Sequence, residues 1–403
     1  MRLTAERAQL LAAVAAVLPA AGKPAGGKPP PGVLDAAADG TLAVGTTDGQ
    51  GGGAQHRLSG ADGSRLVVRS PGRLAVGSLS ALADYLKGAG GAGVDLHAIG
   101  PALVVRGEGC RAELPTLEAE PGGIDPPDPG PVSVTVTLPV GVLRRLVRAA
   151  AFAAGRKDQP GGRFALSGVL LAPDAAAGRL AVVATDAGRL AVATAPARVE
   201  GRPDPAGYLL PRPAAKLLGH GPADAEAVLS LSPRLAVCHT GPHTTWTPLV
   251  SGRFPAWDQI LTRAKAPHKV EVPAAALLSA LEYVAPAADP DDRAATLRLA
   301  GAGLPVLSVE ARSSAAGSAR REVPLAAYSG PGLVVSFAGG AVDEYLKAAQ
   351  DLDADAVTLG FSAADKPAVL SAAGAGVESR CLVMPLVERP EAERSPKGDD
   401  DDG

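Results

Sequence analysis

The sequence predicts an α+β protein of three repeated domains, each made of two β-α-β-β-β units. Three observations lead there. First, three segments open alike, 131 and then 136 residues apart: "MRLTAERAQLLAAVAAVLPAA" from residue 1, "VSVTVTLPVGVLRRLVRAAAFAA" from 132 and "HKVEVPAAALLSALEYVAPAA" from 268. Each reads as a short alternating strand followed by a helix of about three turns, with Leu and Val at helical spacing. Second, a strand-helix unit recurs midway through each third: "GRLAVGSLSALADYLKG" from 72, "AGYLLPRPAAKLLGHG" from 206 and "PGLVVSFAGGAVDEYLKAA" from 331. Third, alternating strands punctuated by Gly, Asp and Pro fill the spaces, as in "GRLAVVATDAGRLAVAT" and "AEAVLSLSPRLAVCHT".

The domains are expected at 1–125, 131–261 and 268–387, the size of ordinary single cores. "EPGGIDPPDPGP" (120–131) and "TRAKAP" (262–267) read as linkers. From Glu388 the chain becomes "ERPEAERSPKGDDDDG", an acidic tail expected to be disordered. That tail holds seven acids and three bases, so a chain of net charge −3 has a body near +1. Such a body neither demands nor excludes nucleic acid, because distribution matters more than the sum.

Composition narrows the class. With 3% aromatics the cores must be filled by Leu, Val and Ala. No apolar run is long enough to span a bilayer. The N-terminal stretch looks like a signal h-region, but Glu6, Arg7 and Gln9 leave one apolar face, which fits an amphipathic helix. A cytoplasmic protein is expected. Cys110, Cys238 and Cys381 are far apart and odd in number, giving neither a disulfide framework nor a metal-binding CxxC.

Catalytic patterns fail on chemical grounds. "GKPAGGKP" (22–29) nearly spells a phosphate-binding loop, but Pro29 stands where Ser or Thr should hold Mg²⁺. "GTTDGQGGGAQ" (45–55) lacks dinucleotide-fingerprint spacing and reads as a hairpin tip. His239 and His243 have metal spacing for a helix, which Gly241-Pro242 forbids. Asp186 has no acid partner nearby and suits a turn cap better than a general base. No cofactor is expected. A hydrolase or nucleotide-binding protein using Lys28 or Asp186 is the rival reading from the enzyme class.

"ATDAGRLAVA" (184–193), "SGRFPAWDQIL" (251–261) and "CLVMPL" (381–386), in this order on a threefold repeat, are similar to segments of the bacterial sliding clamp, the β subunit of DNA polymerase III. The resemblance covers residues 1 to about 387 and is strongest in the last two thirds. It implies a non-catalytic processivity factor for the replicative polymerase. In that family six domains of a head-to-tail homodimer surround double-stranded DNA, helices toward the pore and sheets outside, without reading sequence. Alternatively, a clamp-fold interaction protein would keep the partner site without encircling DNA.

The resemblance also implies a groove between the second and third domains that receives short peptides from polymerase, clamp loader and repair proteins. Carried over by motif, its walls are Leu166, Thr185, Gly188, Arg189, Leu190, Pro255, Ile260, Tyr345, Pro367, Val383, Met384, Pro385 and Leu386. Met384, one of only two methionines, supplies adaptable apolar lining, and Arg189 supplies directional donors at the rim. The DNA-facing charge is expected in the middle third, on Arg144, Arg145, Arg148, Arg212 and Lys216, with Arg156, Lys157 and Arg163 in the following loop. Elsewhere helix charges nearly cancel, as with Lys347 beside Asp343 and Glu344. Two departures stand out: Gln259 replaces a frequent basic residue, and Ala112, Pro286 and Ala287 are small at positions where the family often has bulk between subunits.

Overall fold

A computed structural model describes residues 1–22, 31–60, 65–117, 124–155, 165–290, 293–300, 305–328, 330–338 and 340–386. Lys28, Arg156, Lys157, Arg163 and the acidic tail lie outside the described residues.

Helices occupy all six places the repeat predicts: Arg7–Val17, Leu79–Gly88, Val140–Ala151, Arg212–Ala215, Ala274–Val284 and Ala341–Gln350. Each forms because one face is apolar at helical spacing. In the third, Leu143, Leu146, Val147 and Ala150 are buried while the arginines stay at the side. Ser78 caps the second by accepting a hydrogen bond from the Ala81 N–H at 3.1 Å. The fourth differs from its counterparts, being a single turn. Pro213 suits a helix start, but the backbone turns at Gly219 (φ 75°), where a Cβ would come within 2.9 Å of the Arg144 backbone nitrogen. A further helix, Trp257–Arg263, begins inside the "SGRFPAWDQIL" segment and runs into the expected linker.

By their contacts the described residues divide into two units, one drawn from 1–187, 191–255 and 375–378, the other from 188–190, 256–374 and 379–386. The first two repeats share the first unit because their strands join one antiparallel sheet. In order, it runs Arg198–Gly201, Val134–Pro139, Glu226–Leu231, Leu235–Thr240, His243–Pro248 and then Gly53–Leu58. It continues through Leu42–Thr47, Gly32–Ala36, Gly72–Val76, Cys110–Leu117, Ala102–Glu108, Gly90–Ile99 and Arg2–Glu6 to Val67–Ser70. The join is the pairing of His243–Trp246 with Gly53–His56. The 120–131 linker is also anchored here. Ile124 is buried against Gly45, where a Cβ would meet it at 2.7 Å, and Asp125 pairs with Arg57 at 3.1 Å. Next to Gly45, the turn of "GTTDGQGGGAQ" is closed by the Asp48 carboxylate, which accepts from the N–H groups of Gln50 and Gly52.

In the second unit, Gly317–Pro324, Val306–Ser313, Ala295–Leu299 and Leu333–Phe337 form a four-stranded sheet. Beside it His268–Pro273 pairs with Ala356–Phe361, which pairs with Ala368–Gly374. Among the described residues no helix is long and apolar enough to cross a membrane.

Candidate docking site and basic surface

The turn within "ATDAGRLAVA" lies between strands Arg179–Thr185 and Arg189–Pro196. Ala187 takes a left-handed conformation (φ 75°), and the Thr185 hydroxyl accepts its N–H at 3.3 Å. An alanine there costs roughly 1 kcal/mol relative to glycine. The Thr185 hydroxyl thus helps to hold the turn in which the sequence places Asp186.

Gly188, Arg189 and Leu190 group with the second unit, as do Ile260, Tyr345, Pro367, Val383, Met384, Pro385 and Leu386. Leu166, Thr185 and Pro255 belong to the first. Two contacts fasten the turn. The Met384 N–H donates to the Gly188 carbonyl at 2.9 Å, and Arg189 Nη1 lies 2.5 Å from Glu344 Oε2. The Arg189 side chain is only 14% exposed against 44% for Glu344, so the guanidinium is the more shielded partner. A half-exposed pair of this kind contributes at most about 1 kcal/mol. Glu344 therefore serves Arg189, and Lys347 instead approaches Glu282 at 3.9 Å. The sequence pairs Glu344 with Lys347; helical spacing shows close neighbours but not which distant residue the fold delivers.

Burial sorts the expected wall into two groups. Met384 and Ile260 are large apolar side chains left 48% and 44% exposed, and Gly188, next to Arg189 in sequence, is exposed. Leu166, Pro255, Pro367 and Leu386 are half-buried. Thr185, Leu190, Val383 and Pro385 are buried. Tyr345 is fully buried, its hydroxyl sharing a 3.0 Å hydrogen bond with the Ser379 hydroxyl. Burial pushes its phenol well above the usual range. Tyr345 lies in the core on the helix Ala341–Gln350, its ring filling the space under the helix and its hydroxyl finding a partner there.

One cavity of about 360 Å³ lies in the first unit, lined in part by Leu170, Leu209, Arg234 and Arg253. None of the expected groove residues lines it.

The basic residues of the middle third have different surroundings. Arg144 donates to the carbonyls of Gly219 at 3.0 Å and Gly221 at 2.5 Å, pinning the loop after the short helix. Arg212 donates to the Ala154 carbonyl at 3.2 Å. The sequence reads both as DNA-facing only; the structure gives each a fastening duty. Arg145 is half-buried, while Arg148 and Lys216 are exposed.

At the expected subunit contact, Ala287 is buried and Pro286 exposed. Near them in the chain Tyr283 is a large side chain, 59% exposed, with the Arg321 guanidinium 5.6 Å from its ring centre. Tyr283 is in plain sight in "YVAPAADP", but a helix-end tyrosine does not announce which way it points. Cys110 is exposed, Cys238 and Cys381 are buried, and none of the three is in a disulfide. Among the described residues no group of three or more His, Cys, Asp or Glu is arranged to hold a metal.

No protein-family model matches the chain. It is 28% identical over 296 residues to the beta sliding clamp of Pseudomonas putida, covering 73% of this chain and 76% of that one. With the beta sliding clamp of Pseudomonas aeruginosa it shares 30% identity over 174 residues, 42% of this chain and 45% of the other. The crystal structure of the DNA polymerase sliding clamp from Pseudomonas aeruginosa matches with a TM-score of 0.80 at 24% identity, covering 96% of this chain and all of that one. The clamp from Bacillus subtilis matches equally well at 0.80 and 17% identity, again over 96% of this chain and all of that one. The chain thus has the fold of the sliding clamps and is similar to them in sequence at 28–30% identity.

Proposed function

We propose that the chain is a cytoplasmic, non-catalytic sliding clamp that encircles duplex DNA as a head-to-tail homodimer, with its helices toward the pore. It would tether the replicative polymerase by docking short peptides of polymerase, loader and repair proteins on the surface around Gly188–Leu190 and Met384. The observation that carries this reading is the fastening of the Gly188 carbonyl to the Met384 N–H. It sets a half-buried arginine, paired with Glu344, near an exposed methionine in the chain path. That combination offers a polar anchor and an adaptable apolar contact, the usual make-up of a peptide site. Arg145, Arg148 and Lys216, with Arg156, Lys157 and Arg163, would give the pore diffuse positive charge, enough for phosphates without reading bases.

A fluorescent peptide of the Gln-x-x-Leu-Phe type tests the site by titration. Met384→Ala is expected to cost on the order of 1–3 kcal/mol, a rise in Kd of roughly 5- to 150-fold. Arg189→Ala should also weaken binding, with its stability measured in parallel by denaturant unfolding. Unchanged binding by both variants, or no binding by wild type at high micromolar concentration, refutes the site.

One sheet edge and one sparsely paired strand support the dimer. Strand Gly317–Pro324 ends its sheet, and among the described residues Cys110–Leu117 pairs with Gly72–Val76 at Thr116 and Leu117 alone. Strand edges with unpaired backbone groups template pairing with a second chain. If Tyr283 packs in that contact, Tyr283→Ala should raise the dimer Kd about 10- to 100-fold, since burying such a ring is worth roughly 1.5–3 kcal/mol. Sedimentation across a dilution series measures it, and an unaltered Kd would take Tyr283 out of the interface.

A further inference from the structure

The sheet seam that fuses the first two repeats carries three histidines. His243 and His56 are register partners across the two strands, their ring centres 5.9 Å apart. His220, from the loop that Arg144 pins, brings its ring to 4.9 Å from that of His243. His243 is 3% exposed, and neither of its ring nitrogens has a hydrogen-bond partner; Nδ1 of His56 also lacks one. Neutral imidazoles tolerate this arrangement, whereas an imidazolium would be buried with no acceptor for its protons.

The surroundings offer no counter-charge in the described contacts. Next to His56 on its strand, Arg57 and Gln55 both bind Asp125 Oδ1, at 3.1 and 3.0 Å. On the strand Leu235–Thr240, His239 bonds the Thr244 hydroxyl at 3.1 Å, and burial pushes the Cys238 thiol up to about 12. From the helix Val140–Ala151 comes Arg144, another cation. The helix Arg7–Val17, packed on the strand of His56, contributes Arg7, which is turned to the carbonyls of Gly91 and Leu86. From the short fourth helix, Arg212 is held by the Ala154 carbonyl.

We propose that the seam between His243–Pro248 and Gly53–Leu58 is a proton-operated joint, closed while its histidines are neutral and released when they are protonated. Burial, then the neighbouring rings, lower the proton affinity of His243 to a pKa of about 3, and burial also lowers those of His56 and His220. In an opened seam His243 returns to its ordinary value of 6.5. The sign follows. A depressed folded value means that the closed state is fully favoured above pH 6.5 and loses ground as pH falls from 6.5 toward 3. Between pH 7.5 and 5.5 the opening equilibrium should rise about tenfold through His243 alone.

Hydrogen exchange of the full-length protein, corrected for intrinsic amide rates, measures this in the two seam strands, with Ala102–Glu108 as the internal control. Wild type is expected to open about tenfold more readily at pH 5.5 than at 7.5 in the seam and not in the control strand. His243→Gln and His56→Gln should each reduce that response. If His243→Gln does not fold, the wild-type comparison and His56→Gln decide alone. Equal seam protection at both pH values, or a full response retained by the variants that fold, overturns the joint.

Discussion

Once loaded on a nicked DNA circle, the protein is expected to remain bound through repeated washing and to be lost when the circle is cut. The fall in lifetime should span orders of magnitude. A topological link has no dissociation route on a closed circle except opening of the ring, whereas sliding off an end needs only diffusion. Local affinity alone gives a different pattern. Phosphate contacts by Arg145, Arg148 and Lys216 would be equal on linear and circular DNA and would weaken steeply with salt. Retention measured on both forms at two salt concentrations separates the possibilities. Equal lifetimes would sink encirclement and favour a clamp-fold interaction protein that keeps only its partner surface.

Replacing Tyr345 should destabilise the fold more than replacing Arg189, Met384 or Tyr283. Its ring is fully buried among the core of the second unit, and its hydroxyl is hydrogen-bonded to Ser379, whose hydroxyl in turn donates to the Ala372 carbonyl. Tyr345→Ala removes the ring and leaves a cavity, at a cost of about 3–5 kcal/mol. Tyr345→Phe keeps the packing and loses one buried hydrogen bond, about 1–2 kcal/mol. Denaturant unfolding measures both. The peptide titration adds the telling comparison: Tyr345→Phe should bind as wild type does, because the hydroxyl points to Ser379. A Phe variant of wild-type stability but weakened peptide binding would return Tyr345 to the docking wall.

Much of the architecture was legible because it is repeated. Three similar openings gave the three α+β repeats, and periodic Leu and Val gave the helices at six places. The shortness of the helix at Arg212–Ala215 escaped, because the apolar pattern of "PAAKLLGHG" continues past the residue where the helix stops. The site was less legible for a different reason. Arg189 and Met384 could be named from their motifs, but their exposure could not. Leu190 and Val383 have the same alternation whether they face a ligand or a core. Tyr345 and Glu344 are adjacent in "DEYLK", yet one enters the interior and the other meets a residue far away in the chain. Those destinations are set by packing between segments, for which local periodicity holds no signal. The fusion of two repeats through His243–Pro248 and Gly53–Leu58 is of the same kind.

That fusion bears on how the chain comes to be folded. The two paired strands are nearly 200 residues apart in the chain, so Gly53–Leu58, paired on one side with Leu42–Thr47, must keep its other edge open until ribosomal synthesis has delivered its partner. Contacts between such distant segments form late, because closing a long loop costs entropy before any pairing compensates. Until then Gly53–Leu58 presents an open edge able to recruit a neighbouring nascent chain. A fragment ending in the 120–131 linker would keep that edge for its whole life. It should aggregate where a fragment carrying both repeats remains monodisperse, so the smallest portion of the chain worth producing in isolation holds two repeats.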